Sequence, residues 1–135
     1  MRGCAIVFDS WAVLAYLQGE ASALKVRDIL LSPENGGALL MSVVNLGEIW
    51  YAIARRISSE EADISVQEVM NWGIEVVDAD WTLSRQAAVF KSKYKISYAD
   101  AFAAALAKTR DAVLLTGDNE FKQIEKEIKI KWLSK

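Results

Sequence analysis

Ala5-Ile6-Val7-Phe8-Asp9-Ser10-Trp11-Ala12-Val13-Leu14-Ala15-Tyr16-Leu17-Gln18-Gly19 is the stretch that decides the fold. Ala5 to Phe8 is a short, uninterrupted apolar run, as expected of a strand covered on both faces. Asp9 breaks the run, Ser10 to Leu17 reads as a helix, and Gly19 ends it. The same unit recurs along the chain. Ala21 to Leu31 is a helix stopped before Pro33, and Asn35-Gly36-Gly37 is a turn. Ala38 to Met41 is a second apolar strand and Val43 to Arg56 a helix. Ser58-Ser59-Glu60-Glu61 is a capping box that opens another helix, to about Trp72. Ile74 to Val77 is a third strand, and Asp80 caps a helix to about Tyr94. Ser97 opens the most apolar helix, to about Lys108. Ala112 to Leu115 is a fourth strand, Thr116-Gly117-Asp118-Asn119 a turn, and Phe121 to Lys126 a short helix. Ile128 to Leu133 alternates as an edge strand does. Strands alternating with helices predict a three-layer α/β/α fold, with a mostly parallel sheet of four to five strands flanked by helices.

The 135 residues suit one domain, 1–135. Hydrophobic residues at 53% argue against disorder, and one proline with seven glycines leaves no room for a long linker. No repeat or low-complexity tract stands out. No apolar stretch approaches the roughly 18 residues that span a bilayer, and the run before Asp9 is too short for a signal peptide. Cys4 is the lone cysteine, which excludes an internal disulfide and fits a reducing, cytoplasmic setting. It is expected to be a small core residue.

The chain contains no histidine. That excludes Ser-His-Asp and Cys-His triads, paired-histidine ribonuclease chemistry and His-ligated zinc. Hydrolysis would have to run on carboxylates, lysines, hydroxyls or a hard metal. A net charge of −2 is unlike a protein that grips nucleic acid through a broad basic face. Any such substrate would be held by metal ions and a local basic patch, or with a partner's help.

Ligands of open α/β folds bind beyond the carboxyl ends of the strands, where strand order reverses. Asp9 follows the first strand and Asp118 the fourth. Glu48 and Asp100 draw notice differently, because each lies in an apolar helix, where a lone buried carboxylate is costly. Asn45 is three residues before Glu48 and shares its helix face. Each acid also has a plain structural reading. Asp9 can cap the first helix, Asp118 can belong to a turn, Asp100 can complete a capping box with Ser97, and Glu48 can pair with Arg55 or Arg56. Four unrelated structural acids need not all fall at one end of one sheet. Converging carboxylates raise one another's pKa, and a hard cation relieves them; an all-carboxylate site favours Mg²⁺ or Mn²⁺ over zinc.

Four segments carry a resemblance. They are Val7-Phe8-Asp9-Ser10, Ser42-Val43-Val44-Asn45-Leu46-Gly47-Glu48-Ile49, Ile96-Ser97-Tyr98-Ala99-Asp100-Ala101 and Leu114-Leu115-Thr116-Gly117-Asp118-Asn119-Glu120-Phe121. In that order and spacing the chain resembles the PIN-domain nucleases, most closely the toxins of VapBC-type toxin–antitoxin pairs. The resemblance implies a metal-dependent ribonuclease that uses Mg²⁺ or Mn²⁺. It implies Asp9, Glu48, Asp100 and Asp118 as metal-site acids, Thr116 as their hydrogen-bonding support, and Ser10 and Asn45 as secondary polar contacts. It also implies an antitoxin partner and a homodimer. The family often carries a basic residue where Gly117 stands and a charged one where Asn119 stands, so a catalytic role for the turn itself does not carry over.

Lys91-Ser92-Lys93-Tyr94-Lys95 could hold RNA phosphates, with Lys93 and Lys95 the candidates, or could simply be a solvated helix end. Trp72, Trp81 and Trp132 are expected to be core or partly covered. Trp11, Trp50 and Tyr51 could line an apolar groove for a partner. Alternatives are a PIN-type nuclease of RNA maturation, and a non-catalytic α/β module such as a receiver domain. The receiver pattern leaves Glu48 and Asp100 without a role. A haloacid-dehalogenase-like phosphatase needs an acid at position 11, where Trp11 stands. DNA in place of RNA remains open at this level.

Overall fold

The computed structural model describes residues 5–31 and 37–133. Cys4 and most of the Asn35-Gly36-Gly37 turn lie outside them. The strands are β1 (Ile6–Phe8), β2 (Leu39–Ser42), β3 (Glu75–Val77), β4 (Val113–Thr116) and β5 (Lys129–Trp132). The helices are α1 (Ser10–Leu17), α2 (Ala23–Leu30), α3 (Val43–Arg56), α4 (Ser59–Met70), α5 (Trp81–Lys93) and α6 (Tyr98–Thr109), with a 3-10 helix at Asn119–Ile124. The five strands form one sheet in the order β3-β2-β1-β4-β5, every neighbouring pair parallel.

Side chains alternate across a strand, and the two cores follow from that. Val7, Leu40 and Leu114 point to one face, under Leu83, Ala87 and Phe90 of α5 and the alanines of α6. Ile6, Phe8, Met41 and Leu115 point to the other, under residues of α1 to α4. The result is a three-layer α/β/α arrangement. Ala101, Ala103, Ala104, Ala105 and Ala107 are all buried, so α6 packs closely against both α5 and the sheet.

Several helix boundaries are written in side-chain chemistry. Ser42, Ser58, Asp80 and Ser97 each accept a hydrogen bond from a backbone N–H of the helix they open. Gly19 ends the first helix with φ +66° and Gly73 follows the fourth with φ +84°, conformations that glycine adopts without strain. The edges differ from expectation. β3 lies at one edge with Glu75 exposed and its two valines half-buried, so its apolar composition does not mean coverage on both faces. The helix expected from Phe121 begins earlier, as a 3-10 turn at Asn119, because Asp118 caps it. Trp81 is 73% exposed rather than core, whereas Trp72 and Trp132 are half-buried.

Candidate metal centre

Strand order reverses between β1 and β4, whose chains leave the sheet in opposite directions. The register pairs Ile6 with Val113, Val7 with Leu114 and Phe8 with Leu115. One further step sets Asp9 beside Thr116. The Thr116 hydroxyl donates to Asp9 Oδ2 at 2.5 Å, and its oxygen accepts from the Asp118 backbone N–H at 3.0 Å. One threonine thus ties the two acids that follow the two central strands. Asp9 and Thr116 are both fully buried.

On the other side of β1, Ser42 closes β2 and caps α3. The first turns of α3 carry Asn45 and Glu48 back over the strand ends. The Ser10 hydroxyl, at the start of α1, donates to Glu48 Oε1. The pairing of Glu48 with Arg55 or Arg56 is not the arrangement found, and the Arg55 guanidinium lies 5.1 Å from the ring centre of Tyr51. Asn45 Nδ2 donates to the Ala99 carbonyl at 3.1 Å and so joins α3 to α6 next to Asp100. Asp100 is 7% exposed in the first turn of α6, where Ser97 Oγ caps its backbone N–H at 3.1 Å.

The plain structural readings of three acids hold as well. Asp9 Oδ1 accepts from Ala12 N at 2.8 Å, Asp118 Oδ1 accepts from Glu120 N at 2.9 Å, and Asp100 lies in a capped first turn. Capping uses one oxygen of Asp118 and leaves the other, whereas both oxygens of Asp9 are engaged, Oδ1 by Ala12 N and Oδ2 by Thr116.

The four acids act on one another electrostatically. Burial pushes the Asp100 carboxyl up to about 8, and Asp118, Asp9 and Glu48 all add to the rise. Burial likewise lifts Asp9 to about 7; the Thr116 and Ala12 hydrogen bonds pull it down, and Asp118 and Glu48 push it up. Asp100 therefore senses all three other acids. Carboxylate oxygens of Asp100, Asp118 and Glu120 lie within 4.8 Å of one another. Oxygens on opposite sides of an ion ligated at about 2.1 Å lie roughly 4.2 Å apart, so a small closure suffices to hold Mg²⁺ or Mn²⁺.

Asn45 Oδ1 supplies a second, independent sign. It is buried and has no hydrogen-bond partner. A buried acceptor left alone costs about 1–3 kcal/mol. Water on a hydrated cation would supply the donor it lacks. The donor set, its spacing and this unpaired oxygen fit a hard divalent ion.

Glu120 was not singled out by sequence reasoning. Its position two residues past Asp118, in a turn after a central strand, was the available signal. The lysine segment is largely occupied by structural roles. Lys91 Nζ donates to the Ile96 carbonyl at 2.7 Å, and Lys93 Nζ lies 3.7 Å from Glu127. Lys95 pairs through its backbone with Gln123, and its exposed side chain is the freest of the three.

A model of the PIN domain family matches residues 6–127. No curated protein sequence matches the chain. Among solved structures, the VapC20 toxin of Mycobacterium tuberculosis, described as cleaving the sarcin-ricin loop, is 21% identical, with a TM-score of 0.70 over 87% of this chain and 93% of its own. A chain of the DNA-bound VapBC complex of Salmonella typhimurium is 18% identical, with a TM-score of 0.74 over 98% and 99%. A chain of VapBC-1 from nontypeable Haemophilus influenzae is 15% identical, with a TM-score of 0.73 over 97% and 99%. At these identities the likeness is one of fold.

Proposed function

The chain belongs to the PIN-domain family, and from that premise we propose that it is a Mg²⁺- or Mn²⁺-dependent endoribonuclease, the toxin of a toxin–antitoxin pair. The observation that carries the reading is the cluster of Asp100, Asp118 and Glu120 carboxylate oxygens within 4.8 Å of one another beyond the β1/β4 reversal, with the buried Asp9 tied to the Asp118 turn through Thr116. Such groups are out of place in a purely structural role and suited to a cation.

Asp100, Asp118 and Glu120 would hold the ion, with Asp9 and Glu48 completing the ring of acids. When bound, the ion supplies Lewis acidity at the phosphate and neutralises charge that builds on its oxygens. The rest falls to the chain's own groups. Ser10 fixes Glu48 by one oxygen, which leaves the other to orient the attacking water or take its proton. Asp118, half-exposed on its turn, is the other group in reach of that task. Thr116 keeps Asp9 and Asp118 in register. Attack by water on phosphorus breaks a backbone P–O bond and leaves a linear phosphate monoester and a free hydroxyl, with no 2′,3′-cyclic product. Lys95, exposed beside the 3-10 helix, is the phosphate contact of choice, and Lys93 contributes less because Glu127 holds it.

The antitoxin would seat its apolar side chains in the groove of about 490 Å³ where Tyr16, Leu17, Ile53 and Ile57 meet, with Arg56 and Glu61 at its rim. The exposed Val43 and Tyr51 on α3 and Tyr98 on α6 give a second copy of the chain its apolar contact. Among the described residues no helix is long and apolar enough to cross a membrane. A cytoplasmic setting belongs to this reading.

The test is cleavage of a structured RNA by the chain freed of any co-purifying partner, in Mn²⁺, beside Asp100→Asn. Cleavage by the parent alone, stopped by EDTA and restored by Mg²⁺ or Mn²⁺, is expected. Equal activity of the variant removes Asp100 from the site. A folded parent that binds no divalent ion overturns the reading.

A further inference from the structure

Gly117 is buried between Thr116 and Asp118. A glycine at such a place usually serves the backbone, through a φ that other residues avoid. Among the described glycines that holds for Gly19 and Gly73, not for Gly117. Its backbone would accept a side chain, and a neighbour forbids one. A Cβ at 117 would lie 2.3 Å from Trp11 Cη2, 2.5 Å from Cζ3 and 2.7 Å from Cζ2. Three adjacent ring carbons at nearly one distance put that Cβ over the face of the indole. A carbon meeting the ring's edge would lie far closer to one atom than to its two neighbours. The six-membered ring of Trp11 is therefore laid against the backbone of residue 117.

Trp11 follows directly on the two residues that hold the other acids. Asp9 accepts from Thr116, and Ser10 donates to Glu48. Residues 9–11 thus reach Asp9, Glu48 and the turn of Asp118 from one short segment at the start of α1. Resting on the reading of these acids as a metal centre, we propose that Trp11 is a positioning residue for that centre. Its ring clamps the turn Thr116-Gly117-Asp118 and keeps the Asp118 carboxylate among Asp100 and Glu120.

The need for a clamp follows from charge. Asp118 stands with Asp100 and Glu120, carboxylate oxygens within 4.8 Å of one another, so like charge pushes it away from them. It stands on a turn, whereas Glu48 and Asp100 are held inside long helices. Thr116 restrains the turn from the buried side. The indole restrains Gly117 by packing alone, adding neither a charge nor a hydrogen bond that competes with a cation. Glycine is then required at 117 only as long as tryptophan stands at 11, and the two positions are coupled.

The experiment uses the full chain as parent, Trp11→Leu, Gly117→Ala and the double variant. Mn²⁺ affinity is read from the electron paramagnetic resonance of free Mn²⁺, and thermal midpoints are taken in EDTA. Gly117→Ala is expected to weaken Mn²⁺ binding by about 10- to 100-fold, the range for residues that orient ligands. Trp11→Leu keeps the glycine and loses the ring, and is expected to bind Mn²⁺ about tenfold more weakly while still folded, with its EDTA midpoint lowered by the lost packing. The double variant is expected to bind more tightly than Gly117→Ala, because leucine makes room for the added methyl. Parent-like affinity in both single variants overturns the clamp, as does a double variant no better than Gly117→Ala. Should Gly117→Ala fail to fold, Trp11→Leu decides alone: unweakened Mn²⁺ binding refutes the proposal. A parent that binds no Mn²⁺ overturns the metal reading itself, and the clamp with it.

Discussion

Asp100→Asn should stabilise the metal-free protein while destroying its response to metal. The Asp100 carboxyl sits at about 8 when folded, against 3.8 for the unperturbed group. Between those values the folded chain holds a proton that the unfolded chain has released. Stability therefore falls as pH rises, by about 1.4 kcal/mol per unit at full effect, and levels off above about 8. From 3.8 to pH 7 the loss approaches about 4 kcal/mol, and water at the mouth of the site reduces it toward about 2. Asparagine has no such proton, and the Ser97 bond to the backbone N–H of residue 100 survives the change. In EDTA at pH 7 the variant should melt on the order of 10 °C above the parent, at about 3–5 °C per kcal/mol for a domain this size. At pH 4 the two should nearly coincide. With Mn²⁺ at 100 times its Kd the parent should gain about 2.7 kcal/mol, and the variant almost nothing. Circular dichroism melts at pH 4, 5.5, 7 and 8, with and without Mn²⁺, measure both effects. A parent that grows more stable from pH 5 to 8 in EDTA would refute the reasoning, because Asp9, lifted to about 7, pushes in the same direction.

Three further outcomes follow from the same geometry. Thr116→Val removes the bond that lowers the Asp9 pKa, so Asp9 should rise above about 7. Mn²⁺ binding at pH 7, measured by calorimetry, should weaken about 10- to 100-fold and recover partly at pH 8.5. Ser10→Ala frees Glu48 and should slow RNA cleavage at saturating Mn²⁺ by about tenfold with the fold unchanged; an unaltered rate removes Glu48 from any water-orienting role. Lys95→Ala should weaken RNA binding and reduce its salt dependence by roughly one in log–log slope, whereas Lys93→Ala, which breaks an ion pair with Glu127, should change the slope less.

The central strands and long helices were legible because composition and burial agree there. An uninterrupted run such as Val113-Leu114-Leu115 has nowhere to go but a covered sheet, and Ser97 before a helix with eight buried residues marks a helix start. The edges were less legible. Glu75-Val76-Val77 carries two valines as a central strand would, but its exposed Glu75 and its place in the pairing order put it at the rim. Trp81, large and apolar, is expected to pack, yet capping by Asp80 fixes the helix start and leaves the indole outside. Within the site, the acids announced themselves by standing where carboxylates are costly. Glu120 did not, since an exposed acid in a turn is ordinary. Trp11 and Gly117 lie 106 positions apart in sequence (117 − 11), and neither is polar. Their dependence on each other arises from ring shape and could not be read without coordinates.

The groups that surround the acids show what the site expects to meet. Ser10, Thr116 and Asn45 are neutral, and the influences on Asp9 and Asp100 are burial, hydrogen bonds and other carboxylates, with no cation among them. A lysine or arginine placed there would bring both pKa values down and relieve the folded state. It would also occupy the oxygens that a divalent ion needs. Neutral donors such as Thr116 and Ser10 orient carboxylates without cancelling their charge. The repulsion left over destabilises the metal-free fold and reappears as affinity for a cation, since a cation that binds only the folded state returns that free energy to it. Loss of stability toward high pH in EDTA and gain of stability with Mn²⁺ are thus two measurements of one charge imbalance. They should shrink together in Asp9→Asn and Asp100→Asn.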